Sequence, residues 1–529
     1  MRISSDITNP NSLWRDYDVN ALPLNETALS DKTEDSVTVK EYYFDGFTTT
    51  DGRARAYIKI LENPQSRGVI LYLSDKFGDN DGTARCFYDY GYTVAVLDYL
   101  GERDDAFRFT IYPQSLSSCN NYGKSAFDAP EDALSCCWYI WTCLARRAIL
   151  LLKNKYDGQN IYALGKGLGG STVYKLTALD DGLKGCATLL NILPAVNGTG
   201  NPIINYRAAF DNSSYAPLSK TPIFISVASN DEDGSLDHMC VLADNTVSLR
   251  GFRIVERAFS GGMKSVYPQI NGFFSSCAAD GEPKFVRPEI KAANSENKLY
   301  FNIRITSGDE PPPTDNVRLF TSFCVDNPTR RSWMSIKPLG IGDGEYMANV
   351  DVLRNEKHVY AFVNVSDDDG YITSSGLLTL IPKTLGIPPM SVVSRRLIYD
   401  GSMGKDVWTS PDGGSISAVS GLFGIDGITS DSHSLVTFKP GDPLYRAANG
   451  SLLQIMLCGK PQTVNVAVSN ETESYGCQIN VPSDDNWHKI TLNHFDFKSD
   501  KGPLSDWSDI IMLAFSAESD FIIGSVLWV

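Results

Sequence analysis

The stretch Ile161–Ser171 reads Ile-Tyr-Ala-Leu-Gly-Lys-Gly-Leu-Gly-Gly-Ser and runs into a helix-forming segment over residues 172–179. An apolar run, closely spaced glycines and then a helix is the outline of a nucleophile elbow, G-x-S-x-G. In that turn a strained strand-to-helix connection lifts a serine hydroxyl above a sheet, where it can attack an acyl carbonyl. Gly165, Gly169 and Gly170 stand where the turn needs small residues, but Gly167 fills the serine position. A shift of one residue would bring Lys166 or Leu168 to the tip, and neither is a useful acyl nucleophile at neutral pH. Ser171 lies about one helical turn further on, directed into helix–sheet packing.

The elements that must position this turn alternate between strand and helix. Residues 37–47 and 53–61 alternate apolar with polar around Thr50-Asp51-Gly52, the pattern of an antiparallel hairpin. Unbroken apolar runs at 68–73, 92–98, 185–190, 222–228 and 252–259 read as buried strands. Helical stretches at 83–89, 130–153 and 236–247 lie between them, with Pro130 suited to a first helical turn. The pattern predicts a mostly parallel, mixed sheet with helices on both faces over residues 34–280. Residues 1–33 are polar and turn-rich, and read as an arm laid on that domain.

Past residue 280 no amphipathic helix is evident. Short strand-like runs punctuated by Gly, Pro, Asn and Asp predict an immunoglobulin-like β-sandwich over 281–388 and a C-terminal β jelly roll over 389–529. A chain of 529 residues suits this multidomain division. A net charge of −16 argues against nucleic acid and anionic membranes as partners. No apolar run approaches the roughly 20 residues that span a bilayer. The N-terminal decapeptide has no apolar core, and the eleven cysteines include the adjacent pair Cys136-Cys137 but no C-x-x-C. Buried reduced thiols and a cytoplasmic location are expected, the alternative being secretion with a leader removed.

The first 280 residues resemble the acetyl xylan esterase and dienelactone hydrolase branch of the α/β-hydrolases. The runs at 68–73 and 92–98, the helix sequence from Trp141, the elbow, and Thr221-Pro-Ile-Phe-Ile-Ser-Val-Ala-Ser-Asn-Asp231 carry that resemblance. It implies a serine, then an acid, then a histidine in chain order. The serine attacks, the histidine takes its proton and the acid orients the imidazole. Gly167 replaces the serine, and Asp231, with Asp233 close by, fills the acid position. The histidine position near Phe259-Ser260-Gly261-Gly262 holds Ser260 instead. Of the five histidines, none lies between His238 and His358. Asp231 then reads either as a vestigial triad acid or as a loop aspartate capping the next helix. The resemblance places Ser74, Asp75 and Lys76 at the mouth of an oxyanion-like pocket, with Lys166 and the amides of Gly167, Leu168 and Gly169.

The last segment is similar to jelly-roll carbohydrate-binding modules around Asn486–Phe497 and Leu504–Ile510. Trp487 and Trp507 read as core, whereas Trp408 and Tyr445 sit in loop-like stretches and are the expected sugar-stacking platform. Asp400, Asp406 and Asp412 are candidate ligands for a structural calcium, without EF-hand spacing; no other cofactor or metal is expected. The leading expectation is a non-catalytic, hydrolase-derived protein of carbohydrate metabolism that binds a carbohydrate or small molecule. Two others stay open. One is an active carbohydrate esterase with a rearranged catalytic set, drawing a base from His358, His433, His488 or His494. The other is a structural, partner-binding protein.

Overall fold

The computed structural model describes residues 7–34, 36–75, 82–102, 108–120, 132–191, 201–231, 234–279, 287–306, 311–367, 370–391, 393–460, 462–482 and 486–529. They form two compact units. The first takes residues 1–227, 238–252 and 264–285; the second takes 228–237, 253–263 and 286–529.

The first unit is built on nine strands: β1 (Thr27–Glu34), β2 (Val37–Thr48), β3 (Arg53–Glu62), β4 (Val69–Leu73), β5 (Thr93–Asp98), β6 (Ile161–Gly167), β7 (Gly185–Asn191), β8 (Ile223–Ala228) and β9 (Leu249–Val255). Their spatial order is β1-β2-β3-β5-β4-β6-β7-β8-β9. Pairing is antiparallel from β1 through β3 to β5. It is parallel between β5, β4, β6, β7 and β8. All residues of β4, β5 and β8 are buried, which is why these strands read as unbroken apolar runs. The helices are α1 (Pro10–Trp14), α2 (Thr83–Asp89), α3 (Cys137–Lys155), α4 (Leu168–Leu179), α5 (Asn201–Phe210), α6 (Asn212–Tyr215), α7 (Leu236–Asn245) and α8 (Tyr267–Ala278).

Three expectations change. The helix predicted from residue 130 begins at Cys137, because Cys136 is extended at φ −62°, ψ 135°; Pro130 lies outside the described residues. The N-terminal segment is no peripheral arm. Thr27–Glu34 is an edge strand of the sheet, and Trp14 Nε1 donates to Tyr215 Oη at 3.0 Å. The buried Arg147 guanidinium donates to the carbonyls of Val19, Leu22, Pro23 and Asp45 at 2.7–3.0 Å, fastening this segment and the sheet to α3. The third change is α8, which no pattern in the sequence separates from the loops around it.

The second unit contains two β-sandwiches. In the first, one sheet orders Glu289–Ser295, Lys298–Arg304, Glu345–Val350 and Leu339–Gly342. The other orders Met334–Ile336, Val317–Phe323, Val359–Ser366 and Ile372–Ser374, with Leu378–Leu380 also pairing to Val359–Ser366. Leu299, Phe301 and Ile303 from one sheet and Leu319, Ala361 and Val363 from the other meet in a single core. The second sandwich has two six-stranded antiparallel sheets. One is centred on Phe521–Trp528 and the other on Gln462–Ser469, and they share a core that includes Ile455, Val466, Phe515 and Ile523. All eleven cysteines are free, and eight of them are buried. Among the described residues no helix is long and apolar enough to cross a membrane.

Ten of the twelve residues of α4 are buried, Lys175 among them at 1% exposure. Its Nζ donates to Asn212 Oδ1 at 2.7 Å and to the Ser171 carbonyl at 3.2 Å, and lies 4.8 Å from the Trp138 ring. Burial lowers its pKa from the ordinary 10.5 to about 7. The unfolded chain therefore binds the extra proton between those two values, so this group makes stability rise with pH from about 7 to about 10. Lys175→Met should raise the melting temperature most near pH 7 and progressively less toward pH 10, as read by thermal unfolding across that range.

Candidate functional site

The elbow backbone is retained. Gly167 ends β6 and caps α4 at φ 58°, ψ −121°, a conformation that carries the chain from strand to helix in one residue. This region costs a residue with a Cβ about 1–3 kcal/mol, which glycine escapes. Gly169 is required for a different reason. A Cβ there would fall 2.1 Å from the Leu73 carbonyl oxygen, so its absence lets α4 close onto the end of β4. The parallel register of β4 with β6, Leu73 opposite Gly165, fixes that approach.

Asp75 occupies the nucleophile's space. A Cβ on Gly167 would lie 2.6 Å from Asp75 Oδ2 and 2.8 Å from its Cγ. Ser74, which is buried, donates from Oγ to Asp75 Oδ1 at 3.3 Å. The carboxylate thus stands beside the first residues of a twelve-residue helix, where the helix dipole favours negative charge by about 0.3–1 kcal/mol. At Gly167, the N-cap of α4, the chain's own carboxylate stands close by. Leu168 is buried and Lys166 half-buried at the end of β6, while Lys76 lies outside the described residues. Ser74, Asp75, Gly167 and Leu168 therefore come together, with the Asp75 carboxylate against Gly167. No residue spacing announces this, because it depends on the turn that follows β4.

The other two triad positions belong to the second unit. Asp231 is buried and accepts from the Gly234 amide at 2.9 Å, closing the turn just before α7. Gly234 precedes α7, so this bond closes the loop and does not reach an amide of the helix. It also lines a cavity of about 530 Å³ with Phe259, Thr329, Arg330, Asp412 and Phe438. Asp233 lies outside the described residues, and Ser260 opens a short 3₁₀ turn, Ser260–Val266, without a described side chain. No histidine lines the Asp231 cavity among the described residues. His358 Nδ1 is 2.9 Å from Asp326, His433 Nδ1 is 3.2 Å from Asp520, and His494 Nδ1 is 2.8 Å from the Leu504 carbonyl. His488 is in a strand, and His238 is exposed on α7.

The expected sugar platform is not at Trp408 and Tyr445, which are only 4% and 5% exposed. Trp408 packs edge-on against Tyr399 at 5.3 Å, and Tyr445 lies under the Lys439 ammonium at 4.2 Å. Both stretches are irregular backbone folded over the second sandwich's core, so a loop-like sequence does not mean exposure. Trp507 is core as expected, whereas Trp487 is half-buried, its Nε1 donating to the Leu422 carbonyl at 2.9 Å. Beside Leu422, Phe423 is 84% exposed at a turn with φ 60°. Asp400 is used locally, accepting from the Ser402 amide at 3.0 Å. Asp406 and Asp412 line separate cavities, and among the described residues no three His, Cys, Asp or Glu side chains converge on a metal position.

Gly167→Ser should cost about 1–3 kcal/mol from its backbone region alone, and Asp75 must also turn aside. Gly167→Ser combined with Asp75→Ala should recover part of the total loss, leaving the backbone contribution. Chemical denaturation of both variants measures the difference.

No protein-family model matches the chain, and neither does any curated protein. Among solved structures, it is similar to the acetyl xylan esterase from Paenibacillus sp. R4, at 12% identity over 49% of this chain and 90% of that one, with a TM-score of 0.34. Acetyl xylan esterase 1 from Thermoanaerobacterium sp. is similar at 13% identity over 52% and 99% of the two chains, with a TM-score of 0.38. The glucuronoyl esterase from Solibacter usitatus is similar at 13% identity over 49% and 87%, with a TM-score of 0.35. On its own strand order, flanking helices and elbow backbone, the first unit is α/β-hydrolase-like.

Proposed function

We propose that this chain is a non-catalytic derivative of a carbohydrate-esterase scaffold that works by binding a carbohydrate or a small molecule. The observation that carries the reading is the carboxylate of Asp75, whose Oδ2 lies 2.6 Å from where the Cβ of a nucleophile at position 167 would be. Two facts support it independently. Asp231 accepts from the Gly234 amide within its own loop, and the segment 253–263 contains no histidine to act as base. Acyl transfer needs a nucleophile, a base and an orienting acid acting as a unit. In this reading the two sandwiches, immunoglobulin-like and jelly-roll carbohydrate-binding-like, supply the recognition surface, with Phe423 as its exposed aromatic.

A second reading, hydrolysis by a rearranged set around Asp231, is favoured by the burial of that carboxylate in a cavity wall. Activity assays separate the two. The full chain should hydrolyse short p-nitrophenyl esters and acetylated xylan no faster than buffer, and Gly167→Ser should not change that. Turnover abolished by Asp231→Asn or Asp75→Asn would establish the second reading instead. In xylo-oligosaccharide titrations, Phe423→Ala should weaken binding by about tenfold, on the order of 1.4 kcal/mol for one lost stacking contact, without lowering stability.

A further inference from the structure

The cavity of about 530 Å³ that Asp231 borders lies over the outer face of the sheet centred on Gln462–Ser469, and has the volume of a small-ligand pocket. Strand pairing sets its floor. Val436, Ala514, Ala467 and Gly476 are successive cross-strand partners on Ser434–Thr437, Met512–Ser516, Gln462–Ser469 and Ser474–Val481. Their chain neighbours Leu435, Phe515 and Val466 point into the core, so this row faces outward. One rim is the row Ser434, Ser516 and Asn465; the other carries Met512 and Ser474.

The trough is closed on two sides. At the Met512 end stand Phe438, Phe259, Thr329 and Arg330, and Arg330 donates to the carbonyl of Asn470, in the turn that joins two of the floor strands. Along the edge of Ser434–Thr437 run Pro411 and Asp412, brought there by the pairing of Thr409 with Val436.

The surface is neutral and rich in hydrogen-bonding groups. The four floor strands contain no Asp, Glu, Lys, Arg or His, in a chain with 21% charged residues. The exposed face of the first sandwich, by contrast, carries Glu289, Lys291, Arg304 and Glu345. Asn465 is exposed, and its Oδ1 accepts from Gln478 Nε2 at 3.0 Å. That bond fixes the amide and leaves its Nδ2 without a partner among the described residues. Phe259 is half-buried against Phe438 at 6.0 Å and gives the wall an aromatic side chain, while the exposed Asp412 adds a carboxylate that can accept from paired hydroxyls.

A floor without charge favours an uncharged ligand, and a ligand rich in hydroxyls must recover from amides and hydroxyls the hydrogen bonds it loses to water. The backbone groups of the floor are spent in strand pairing, so a peptide cannot bind this face as an added strand. We propose that the trough binds the end of a neutral oligosaccharide. The walled corner, with Phe259 and Asp412, takes the terminal residue, and the following residues run over Ala514 and Ala467 past Asn465. The proposal rests on the carbohydrate-binding reading above and gives it a site on the sheet opposite the one that carries the Phe423 turn.

Calorimetric titration of the full chain with xylotetraose, cellotetraose and tetragalacturonate tests it. At least one neutral tetramer should bind saturably, and tetragalacturonate about tenfold more weakly or worse. Ala467→Tyr, which fills the trough, should weaken that binding by about tenfold or more, and Asn465→Ala by about threefold to tenfold for one hydrogen bond. The parent polysaccharide should bind one protein per chain whatever its length. Should Ala467→Tyr fail to fold, Ser516→Tyr, at an exposed position of the same cavity, replaces it. Unaltered affinity in a folded trough-filled variant would overturn this site, and the carbohydrate reading would still stand if Phe423→Ala weakened the same binding. Failure of the unmodified protein to bind either neutral tetramer would overturn both. Tetragalacturonate binding as tightly as the neutral tetramers, or many proteins bound along each polysaccharide chain, would also contradict the proposal.

Discussion

The backbone at Gly167 is the constraint on which the first unit depends. At φ 58°, ψ −121° it turns β6 into α4 within one residue, and the missing Cβ of Gly169 lets that helix close onto Leu73. Everything packed around α4, including the buried ammonium of Lys175, follows from a helix driven that far into the interior. The same geometry gives a serine its reach in an acyl-transfer enzyme. Here it is held by the one residue type that bears it without strain, and the Asp75 carboxylate lies 2.6 Å from where a Cβ would be.

The segments that follow β8 and β9 are used in a different way. Residues 228–237 and 253–263 belong by their contacts to the second unit. There the Asn230 amide donates to the carbonyls of Thr329 and Arg331, and Arg331 in turn forks onto Asp237. Ser374 Oγ accepts from the Ile254 amide, and Thr409 donates to the Arg257 carbonyl. Both segments are thus bound into a β-rich unit by their own hydrogen bonds.

Much of the first unit is legible in the sequence, because buried parallel strands write unbroken apolar runs and the elbow writes its glycines. Residues 37–47 and 53–61 pair as their alternation predicts. Three features are not legible. Asp75 sits after a strand in a polar tripeptide, and only the path of the chain brings its carboxylate to Gly167. The irregular, Gly- and Pro-containing surroundings of Trp408 and Tyr445 suggest exposure, but such backbone can cover a core as completely as a strand does. Arg257 carries no motif, and its backbone at φ 52°, held by Ser229 Oγ and the Thr409 hydroxyl, is a property of the folded chain around it. The β-rich character of residues 286–529 is visible in the turn punctuation, whereas the inclusion of 228–237 and 253–263 in that unit is not.

With Asp75 above Gly167, the proposed reading requires that the elbow form no acyl-enzyme. Stopped-flow mixing of the full chain with p-nitrophenyl acetate tests this most directly, because covalent catalysis releases a burst of p-nitrophenol before the steady state. The predicted result is no burst. A burst stoichiometric with protein and lost in Asp75→Asn would contradict it, because the carboxylate above Gly167 would then be a nucleophile rather than its replacement.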